Sequence, residues 1–176
     1  PMGGGAPMVI QSMCNTKTDD VAGTVAQIKK LADAGCEIIR VAVPDMAAAE
    51  AVDRIKEQID IPLIADIHFN HKLALEVARR GIDAIRINPG NIGGEDKVKA
   101  MADACRARNI PIRIGVNGGS LEKELRAKYG GVTAEALVES AMGHVRLLNK
   151  FDFDDICISV KCSDVPLTME AYRLLS

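Results

Sequence analysis

The segment from Ile112 to Asn117 reads IRIGVN, and its alternation of residue types decides the fold of this chain. Successive side chains of a β-strand point to opposite faces, so this segment has one aliphatic face and one face that carries Arg113 and Asn117. The aliphatic face can pack on helices. The other face needs water or a ligand, because an unpaired buried charge is very costly.

Four further segments that we predict to be strands repeat this pattern and turn polar near their carboxyl ends. Their polar faces carry, in chain order, Arg40 with Ala42, Asp66 with His68, Arg86 with Asn88, and Ser159 with Lys161. The first strand follows the pattern more loosely, with Gln11 early in the strand and Asn15 just past its end. The sequence therefore predicts polar side chains at the carboxyl ends of the strands.

Short apolar runs alternate with amphipathic stretches along the whole chain. The predicted strands are 6–13, 36–43, 62–67, 83–87, 110–116 and 155–161. The predicted helices are 18–34, 46–58, 71–80, 95–108, 121–129, 134–149 and one that runs from residue 166 to the end. Five of these helices begin with a residue that favours the helix N-cap: Thr18, Asp45, Asn70, Ser120 and Thr133. Three are followed by a residue that favours a helix end: Gly35, Gly81 and Asn109. Strict alternation of strand and helix predicts a parallel sheet with helices outside it.

A closed barrel and an open doubly wound sheet both satisfy this order of elements. No GxGxxG follows the first strand, which weakens the dinucleotide-binding form of the open sheet. An open sheet would also bury Arg40, Arg86 and Arg113 under helices. A barrel brings them to one mouth at the carboxyl ends of the strands, where barrel enzymes keep their active sites. We therefore predict an α/β fold of the TIM (β/α)8 type, truncated after about six units.

The predicted mouth concentrates positive charge, although the net charge of the chain is −2. Its cations are Arg40, Arg86, Arg113 and Lys161, and its carboxylate is Asp66. The planar fork of Arg suits bidentate binding of phosphate or carboxylate. The loops 88–94 and 117–120 add backbone donors ahead of helix N-termini, which favour anions. We infer a ligand with several negative charges, such as a small diphosphate.

Structural roles stay open for each of these features. A strand Arg can pair with a neighbouring acid as support, and Asp66 is the acid that shares a strand end with these cations. His68 alone is typical of a structural histidine, but beside Asp66 it becomes a candidate proton donor or phosphate ligand. The Asn and Gly residues after the fourth and fifth strands are also typical turn formers.

Composition disfavours several other classes of protein. Aromatic residues make up 3% of the chain and Trp is absent, so a single-stranded nucleic-acid binder is disfavoured. No apolar run approaches the ~18 residues of a membrane span, and the start of the sequence lacks the apolar region of a signal peptide. The five cysteines show neither paired spacing nor a metal signature, which predicts reduced thiols in a cytoplasmic protein.

Six runs of the chain together resemble the 4-hydroxy-3-methylbut-2-enyl diphosphate synthase family, in order and in spacing. They are VIQSMCNT (9–16), IRVAVPD (39–45), ADIHF (65–69), RINPGNIG (86–93), RIGVNGGSLE (113–122) and SVK (159–161). The resemblance covers essentially the whole chain and implies the N-terminal barrel domain of an iron–sulfur enzyme. Cys14 stands where the family has Thr.

The resemblance implies an oxidoreductase of the methylerythritol phosphate pathway of isoprenoid biosynthesis. The family opens 2-C-methyl-D-erythritol 2,4-cyclodiphosphate to 4-hydroxy-3-methylbut-2-enyl diphosphate, with two electrons from ferredoxin or flavodoxin and loss of water. A separate C-terminal domain of the family holds a 4Fe-4S cluster. In the family's head-to-tail dimer, the cluster domain of one subunit closes over the barrel of the other.

Carried onto this sequence, the resemblance implies a role for each polar residue of the mouth. The expected diphosphate clamp consists of Arg40, Arg86, Arg113 and Lys161. The expected hydrogen-bonding residues are His68, Asn117 and Ser159, with Asn88 and Asn15 as further candidates. Asp66 is expected to orient its neighbours, and His68 and Asp66 are the candidate catalytic residues. We expect no metal ligand in this chain.

The family's cluster domain has no counterpart in this sequence. We therefore expect a truncated piece or a proteolytic remnant, in which residues 1–176 form a partial substrate-binding barrel without a cluster and without activity of its own. The exposed edges of an open six-strand sheet predict self-association that differs from the family's dimer. Two alternatives stay open. One is a transferase or aldolase barrel of the dihydropteroate-synthase type, and the other is a non-catalytic domain that binds a phosphorylated ligand.

Overall fold

The structure, a computed structural model, describes residues 5–176, with the side chains of residues 89 and 90 outside the description. The strands are β1 (Gln11–Met13), β2 (Ile38–Ala42), β3 (Leu63–Ile67), β4 (Ala84–Ile87), β5 (Ile112–Asn117) and β6 (Ile156–Lys161). They form one sheet in the order β1-β2-β3-β4-β5-β6. Every neighbouring pair is parallel, which confirms the parallel sheet predicted from the alternation of strands and helices.

Helical segments follow every strand. They are α1 (Val21–Asp33), α2 (Met46–Glu50), α3 (Val52–Lys56), α4 (His71–Arg79), α5 (Pro89–Ile92), α6 (Glu95–Arg106), a 3₁₀ helix (Gly118–Ser120), α7 (Lys123–Tyr129), α8 (Ala134–Asn149) and α9 (Val165–Leu175). The short α5 and the 3₁₀ helix lie in segments that we predicted to be loops with free backbone donors. The side chains of residues 89 and 90, which belong to the first of those segments, lie outside the description.

Two predicted elements differ most from the structure, the first strand and the helix 46–58. The first strand covers three residues instead of 6–13, because β1 pairs only with β2 and that pairing begins opposite Ile38. The predicted helix 46–58 is divided at Ala51 into α2 and α3. The Ala51 N–H donates to the carbonyls of both Ala47 and Ala48, at 3.1 and 3.3 Å, so the helix tightens at this point.

The predicted helix caps are confirmed in part. Asp45 and Thr133 accept hydrogen bonds from the first turns of α2 and α8, as predicted. Thr18 does not cap α1, because its hydroxyl donates to the Ala42 carbonyl at 2.6 Å and Asp20 takes the capping role instead. Ser120 does not cap α7 either, because its hydroxyl donates to the Asn117 carbonyl within the preceding turn.

The aliphatic faces of the strands pack against the helices, as the alternating pattern predicts. The residues on these faces that are fully buried include Ile39, Val41, Ile85, Ile87, Ile112 and Ile114. The opposite faces of β2, β4 and β5 are only partly buried at Arg40, Arg86 and Arg113. This inner face is therefore the one that is open to a ligand.

The sheet is curled, as a contact between β1 and β5 shows. The Arg113 Nη1 donates to the Gln11 Oε1 at 2.5 Å, although three strands separate their backbones in the sheet. In a flat sheet these two strands would lie about 19 Å apart, beyond the combined reach of the two side chains. The inner faces of the strands therefore turn towards one another around a common space.

Candidate functional site

Asp66 is the centre of the polar cluster on the inner face of the sheet. Its side chain is 4% exposed, and its Oδ1 accepts a hydrogen bond from the Arg86 Nη1 at 3.0 Å. The Arg40 Nε lies 3.5 Å from the other carboxylate oxygen. The His68 Nε2 lies 3.4 Å from Oδ1, and the imidazole is more than half exposed at the opening. One buried carboxylate thus holds two guanidinium groups and a histidine.

The register of the strands explains this convergence. Asp66 pairs directly with Arg86 on β4, and Arg86 in turn pairs with Arg113 on β5. Arg40 lies two residues before Ala42, which pairs with Asp66 from the other side. All four side chains occupy inner-face positions at nearly the same level of the curled sheet. The prediction that polar side chains from successive strands meet at one place is confirmed for these residues.

Arg86 is held between three strands. One end of its guanidinium contacts Asp66 on β3, and its Nη2 donates to the Gly115 carbonyl on β5 at 3.3 Å. Its Nε is buried and has no hydrogen-bond partner among the described residues. A buried donor without a protein partner costs free energy, and a ligand oxygen could accept a hydrogen bond from it.

Arg113 is positioned by Gln11, a residue whose role sequence reasoning missed. The Gln11 side chain accepts a hydrogen bond from the Arg113 Nη1, while the Arg113 Nε is buried and lacks a partner within the described part of the chain. No acidic side chain of the described residues forms an ion pair with Arg113. Gln11 lies on the polar face of a strand that follows the alternating pattern only loosely. Its contact with Arg113 depends on the curling of the sheet, which the sequence pattern does not give.

The pKa of Arg40 reflects its burial first and the neighbouring charges second. Burial lowers the pKa of Arg40, and the neighbouring charges of Arg86 and Arg113 lower this pKa further. The Asp66 carboxylate opposes both effects by raising it. The three guanidinium groups therefore share one region, and a single carboxylate compensates them only in part.

The last residue of β5 and the polar residues of β6 lie further towards the carboxyl ends than the arginine cluster. Asn117 pairs with Lys161 at the carboxyl end, and Gly115 pairs with Ser159 two residues before them. The Asn117 Oδ1 accepts a hydrogen bond from the Gly119 N–H at 3.0 Å, and Ser159 donates to the Ile114 carbonyl at 3.3 Å. Lys161 is exposed and forms no ion pair with any residue that the structure describes.

Two further candidates lie at the margin of this opening. The Asn15 side chain accepts a hydrogen bond from the Gln27 Nε2 at 2.8 Å, which directs it towards α1. Asn88 follows the last residue of β4, and its carbonyl accepts a hydrogen bond from the Asn91 N–H at 2.9 Å. The structure therefore brings together Arg40, Arg86, Arg113, Asp66 and His68, and places Asn15 against a helix. Lys161 lies apart from this cluster, four residues further along β6 than Cys157, the partner of Arg113.

The described residues contain no group of three or more His, Cys, Asp or Glu side chains that could hold a metal ion. All five cysteines are free thiols. Burial raises the pKa of the Cys14 thiol to about 11 and that of Cys105 to about 12, so both stay protonated at neutral pH. These residues do not fit an iron–sulfur cluster.

Within residues 5–176, no helix is long and apolar enough to cross a membrane.

The family profile for the GcpE TIM-barrel domain matches residues 1–176. The chain belongs to the GcpE TIM-barrel domain family. The prediction of a TIM-type barrel is thereby confirmed, and the six curled parallel strands are an incomplete form of that barrel.

Curated relatives match this member of the GcpE TIM-barrel domain family over its whole length. It is 62% identical over 176 residues to the 4-hydroxy-3-methylbut-2-en-1-yl diphosphate synthase (flavodoxin) of Pseudomonas paraeruginosa, and covers 47% of that protein. The proteins of the same name from Pseudomonas putida and Idiomarina loihiensis are 61% and 62% identical over the whole chain. The chain spans about half the length of the curated relatives it matches. The resemblance predicted from the six sequence runs is confirmed.

Solved structures share the fold of this chain at low sequence identity. Dihydropteroate synthase from Yersinia pestis superposes with a TM-score of 0.62 at 14% identity, covering 95% of this chain and 63% of its own. The enzyme of the same name from Xanthomonas albilineans gives a TM-score of 0.60 at 15% identity, with 95% and 65% coverage. At these identities the likeness shows the fold alone.

Proposed function

We propose that this chain is the substrate-binding barrel of a 4-hydroxy-3-methylbut-2-en-1-yl diphosphate synthase, and that it binds 2-C-methyl-D-erythritol 2,4-cyclodiphosphate at its mouth. The observation that carries the proposal is the cluster of Arg40, Arg86 and Arg113 around a single buried carboxylate. A diphosphate supplies the negative charge that this cluster lacks. The name shared by the curated relatives gives a diphosphate as the product of those enzymes, which supports a diphosphate ligand.

Each residue of the mouth has a role in this proposal. Arg40, Arg86, Arg113 and Lys161 bind the diphosphate, the three arginines through the fork geometry that suits phosphate oxygens. The hydrogen-bonding residues are His68, Asn117 and Ser159, with Asn88 and Asn15 as outer contributors. Asp66 does not contact the anion directly, because a carboxylate would repel it. Instead Asp66 fixes the directions of Arg40, Arg86 and His68.

In this reaction the site binds the negative charge of the substrate and holds the substrate in position. Reductive opening of the cyclodiphosphate consumes two electrons and two protons. It breaks one carbon–oxygen bond to the diphosphate and one carbon–oxygen bond to a hydroxyl group, which leaves as water, and it forms a carbon–carbon double bond. The leaving phosphate oxygen becomes anionic, and the fixed guanidinium groups stabilise the charge that develops there. His68 is exposed at the opening and lies next to Asp66, so it is placed to donate a proton.

The electrons require a redox group that the described residues do not supply. The family holds a 4Fe-4S cluster in a separate domain, and the relatives' name specifies flavodoxin as their electron donor. We therefore propose that this chain contributes the binding of the diphosphate, and that a cluster held elsewhere, with flavodoxin as donor, contributes the reduction. No electron-transfer step is assigned to the residues of this chain.

Calorimetric titration of the cyclodiphosphate into the purified chain tests the proposal. We expect saturable binding that is weakened at least about tenfold by Arg113→Ala, because a charge-assisted hydrogen bond contributes roughly 1.5–3 kcal/mol. Arg79→Ala is the matched control, since Arg79 lies on α4 and pairs with Glu76 instead. Equal affinity of the chain and Arg113→Ala would remove Arg113 from the site, and absence of binding to the unchanged chain would contradict the proposal.

A further inference from the structure

We propose that Gly115 is a positioning residue for Arg86, and that its missing side chain creates the slot in which the Arg86 guanidinium lies ready for a phosphate oxygen. This inference rests on the proposed function, because the anion is what Arg86 is positioned to bind. Gly115 itself contacts no ligand in this proposal and acts only through Arg86.

The contact between the two residues is closer than any side chain allows. A Cβ atom at position 115 would lie 2.1 Å from the Arg86 Nε, 2.4 Å from Nη2 and 2.6 Å from Cζ. Carbon and nitrogen atoms that are not bonded approach to about 3.5 Å at their optimum. Any residue other than glycine therefore displaces the whole guanidinium plane, and not merely one of its tips.

The guanidinium cannot move aside without losing its present contacts. Its Nη1 donates to Asp66 and its Nη2 donates to the Gly115 carbonyl, at 3.0 and 3.3 Å. The Arg86 side chain is 17% exposed, so water replaces these partners poorly. Displacement by a methyl group at position 115 would therefore break at least one of the two hydrogen bonds and redirect the buried Nε.

The backbone of Gly115 does not itself require glycine. Gly115 is absent from the residues with positive φ, so an alanine could adopt the same backbone conformation. Glycine inside a strand weakens the strand and often marks a close approach by another group. Here the approaching group is Arg86. Ser159, the residue opposite Gly115 on β6, is also small, and its hydroxyl donates to the Ile114 carbonyl. The side chains beside the Arg86 guanidinium are therefore short on this part of the inner face.

A double-mutant cycle on anion affinity tests this role, with inorganic pyrophosphate as the probe in calorimetric titrations. We expect Gly115→Ala to weaken pyrophosphate binding about tenfold, similarly to Arg86→Ala, because both remove the same oriented guanidinium. The double variant Arg86→Ala/Gly115→Ala should bind with the affinity of Arg86→Ala, within about twofold. Gly143→Ala on α8, where an added Cβ has room, should leave the affinity unchanged.

The outcomes separate this inference from the proposed function. If Arg86→Ala binds pyrophosphate as tightly as the unchanged chain, Arg86 is not part of an anion site and the proposed function loses a main residue. If Arg86→Ala is weakened but Gly115→Ala is not, the positioning role of Gly115 is wrong. The double variant contains no guanidinium to clash with, so it remains measurable even if Gly115→Ala fails to fold. A further loss of affinity in the double variant beyond that of Arg86→Ala would also overturn the inference.

Discussion

The two ends of the curled sheet are built from the same six strands and differ in chemistry. At the amino ends, a cavity of about 600 Å³ is lined mainly by apolar residues, among them Ile38, Ile64, Ala84 and Ile156. Further towards the carboxyl ends, the inner face carries Arg40, Asp66, Arg86 and Arg113. Arg40, Asp66, Arg86 and Arg113 are not among the residues that line this cavity.

The change from the apolar cavity to the charged cluster occurs over only two residues of a single strand. On β4, Ala84 lines the apolar cavity and Arg86, the next residue on the same face, reaches Asp66 and Gly115. Since a strand rises about 3.3 Å per residue, the change from apolar to charged occurs within about 7 Å. The comparison predicts that substitutions at the two levels have separable effects, on stability at one and on anion binding at the other.

The largest effect is expected from Asp66→Asn, which removes the carboxylate and keeps its shape. Loss of this charge leaves Arg40 and Arg86 close together without compensation, so we expect the free energy of unfolding to fall by about 3 kcal/mol. Urea denaturation followed by circular dichroism measures this change. Asp155→Asn is the matched control at the amino end, where an exposed carboxylate should change stability by less than about 0.5 kcal/mol. Similar losses in both variants would erase the distinction between the two ends.

The next effect concerns Gln11, which joins the two sides of the curled sheet. Gln11→Ala removes the partner of the Arg113 Nη1, so we expect pyrophosphate affinity to fall about tenfold. Gln58→Ala is a suitable control, because the Gln58 amide donates to the Arg54 carbonyl and not to a residue of the mouth. Calorimetric affinities that are equal for Gln11→Ala and Gln58→Ala would show that Gln11 does not position Arg113.

A smaller effect is expected at the apolar end. Ala84→Val adds two methyl-sized groups to the cavity and should raise the free energy of unfolding by about 1 kcal/mol. Each fully buried CH₂ contributes about 0.8 kcal/mol, and position 84 is only partly buried. The affinity for pyrophosphate should stay unchanged. Denaturation and titration of the same sample provide both values. A loss of affinity after Ala84→Val would mean that the ligand reaches the amino-end cavity.

The smallest effect is a pH dependence that belongs to neither end. His144 is largely buried on α8, with its Nε2 3.0 Å from the Glu122 carboxylate. Burial lowers the pKa of His144, and Glu122 opposes this shift in part. At this position the unfolded chain therefore binds a proton more readily than the folded chain. The contribution of the neutral His144 to the stability of the folded chain is present above pH ~6.5 and is lost as the pH falls. The urea midpoint should fall less between pH 7 and pH 5.5 for His144→Gln than for the unchanged chain, and parallel curves would contradict this.

The alternation of residues on each strand was sufficient to predict the parallel sheet, the barrel type and the convergence of Arg40, Asp66, Arg86 and Arg113. These features follow from the two-residue period of a strand and from the cost of burying charge. The lengths of β1 and of the 46–58 helix did not follow, because they depend on pairing partners and on local backbone tightening.

Long-range side-chain contacts were beyond the reach of the sequence pattern. Gln11 and Arg113 are 102 positions apart, and only the curling of the sheet brings them into contact. The slot at Gly115 depends on the path of the Arg86 side chain, which the pattern of one strand does not contain. Asn15 was predicted at the mouth from its position just after the strand, but its hydrogen bond with Gln27 depends on how α1 packs.

The position of a bound anion tests the central claim most directly. A crystal structure of the chain grown with 2-C-methyl-D-erythritol 2,4-cyclodiphosphate would show which end of the sheet holds the diphosphate. We expect phosphate oxygens within hydrogen-bond distance of Arg86 and Arg113 at the carboxyl ends of the strands. Density for the ligand in the cavity next to Ile38 and Ala84, or guanidinium groups that make no contact with the bound diphosphate, would contradict the claim.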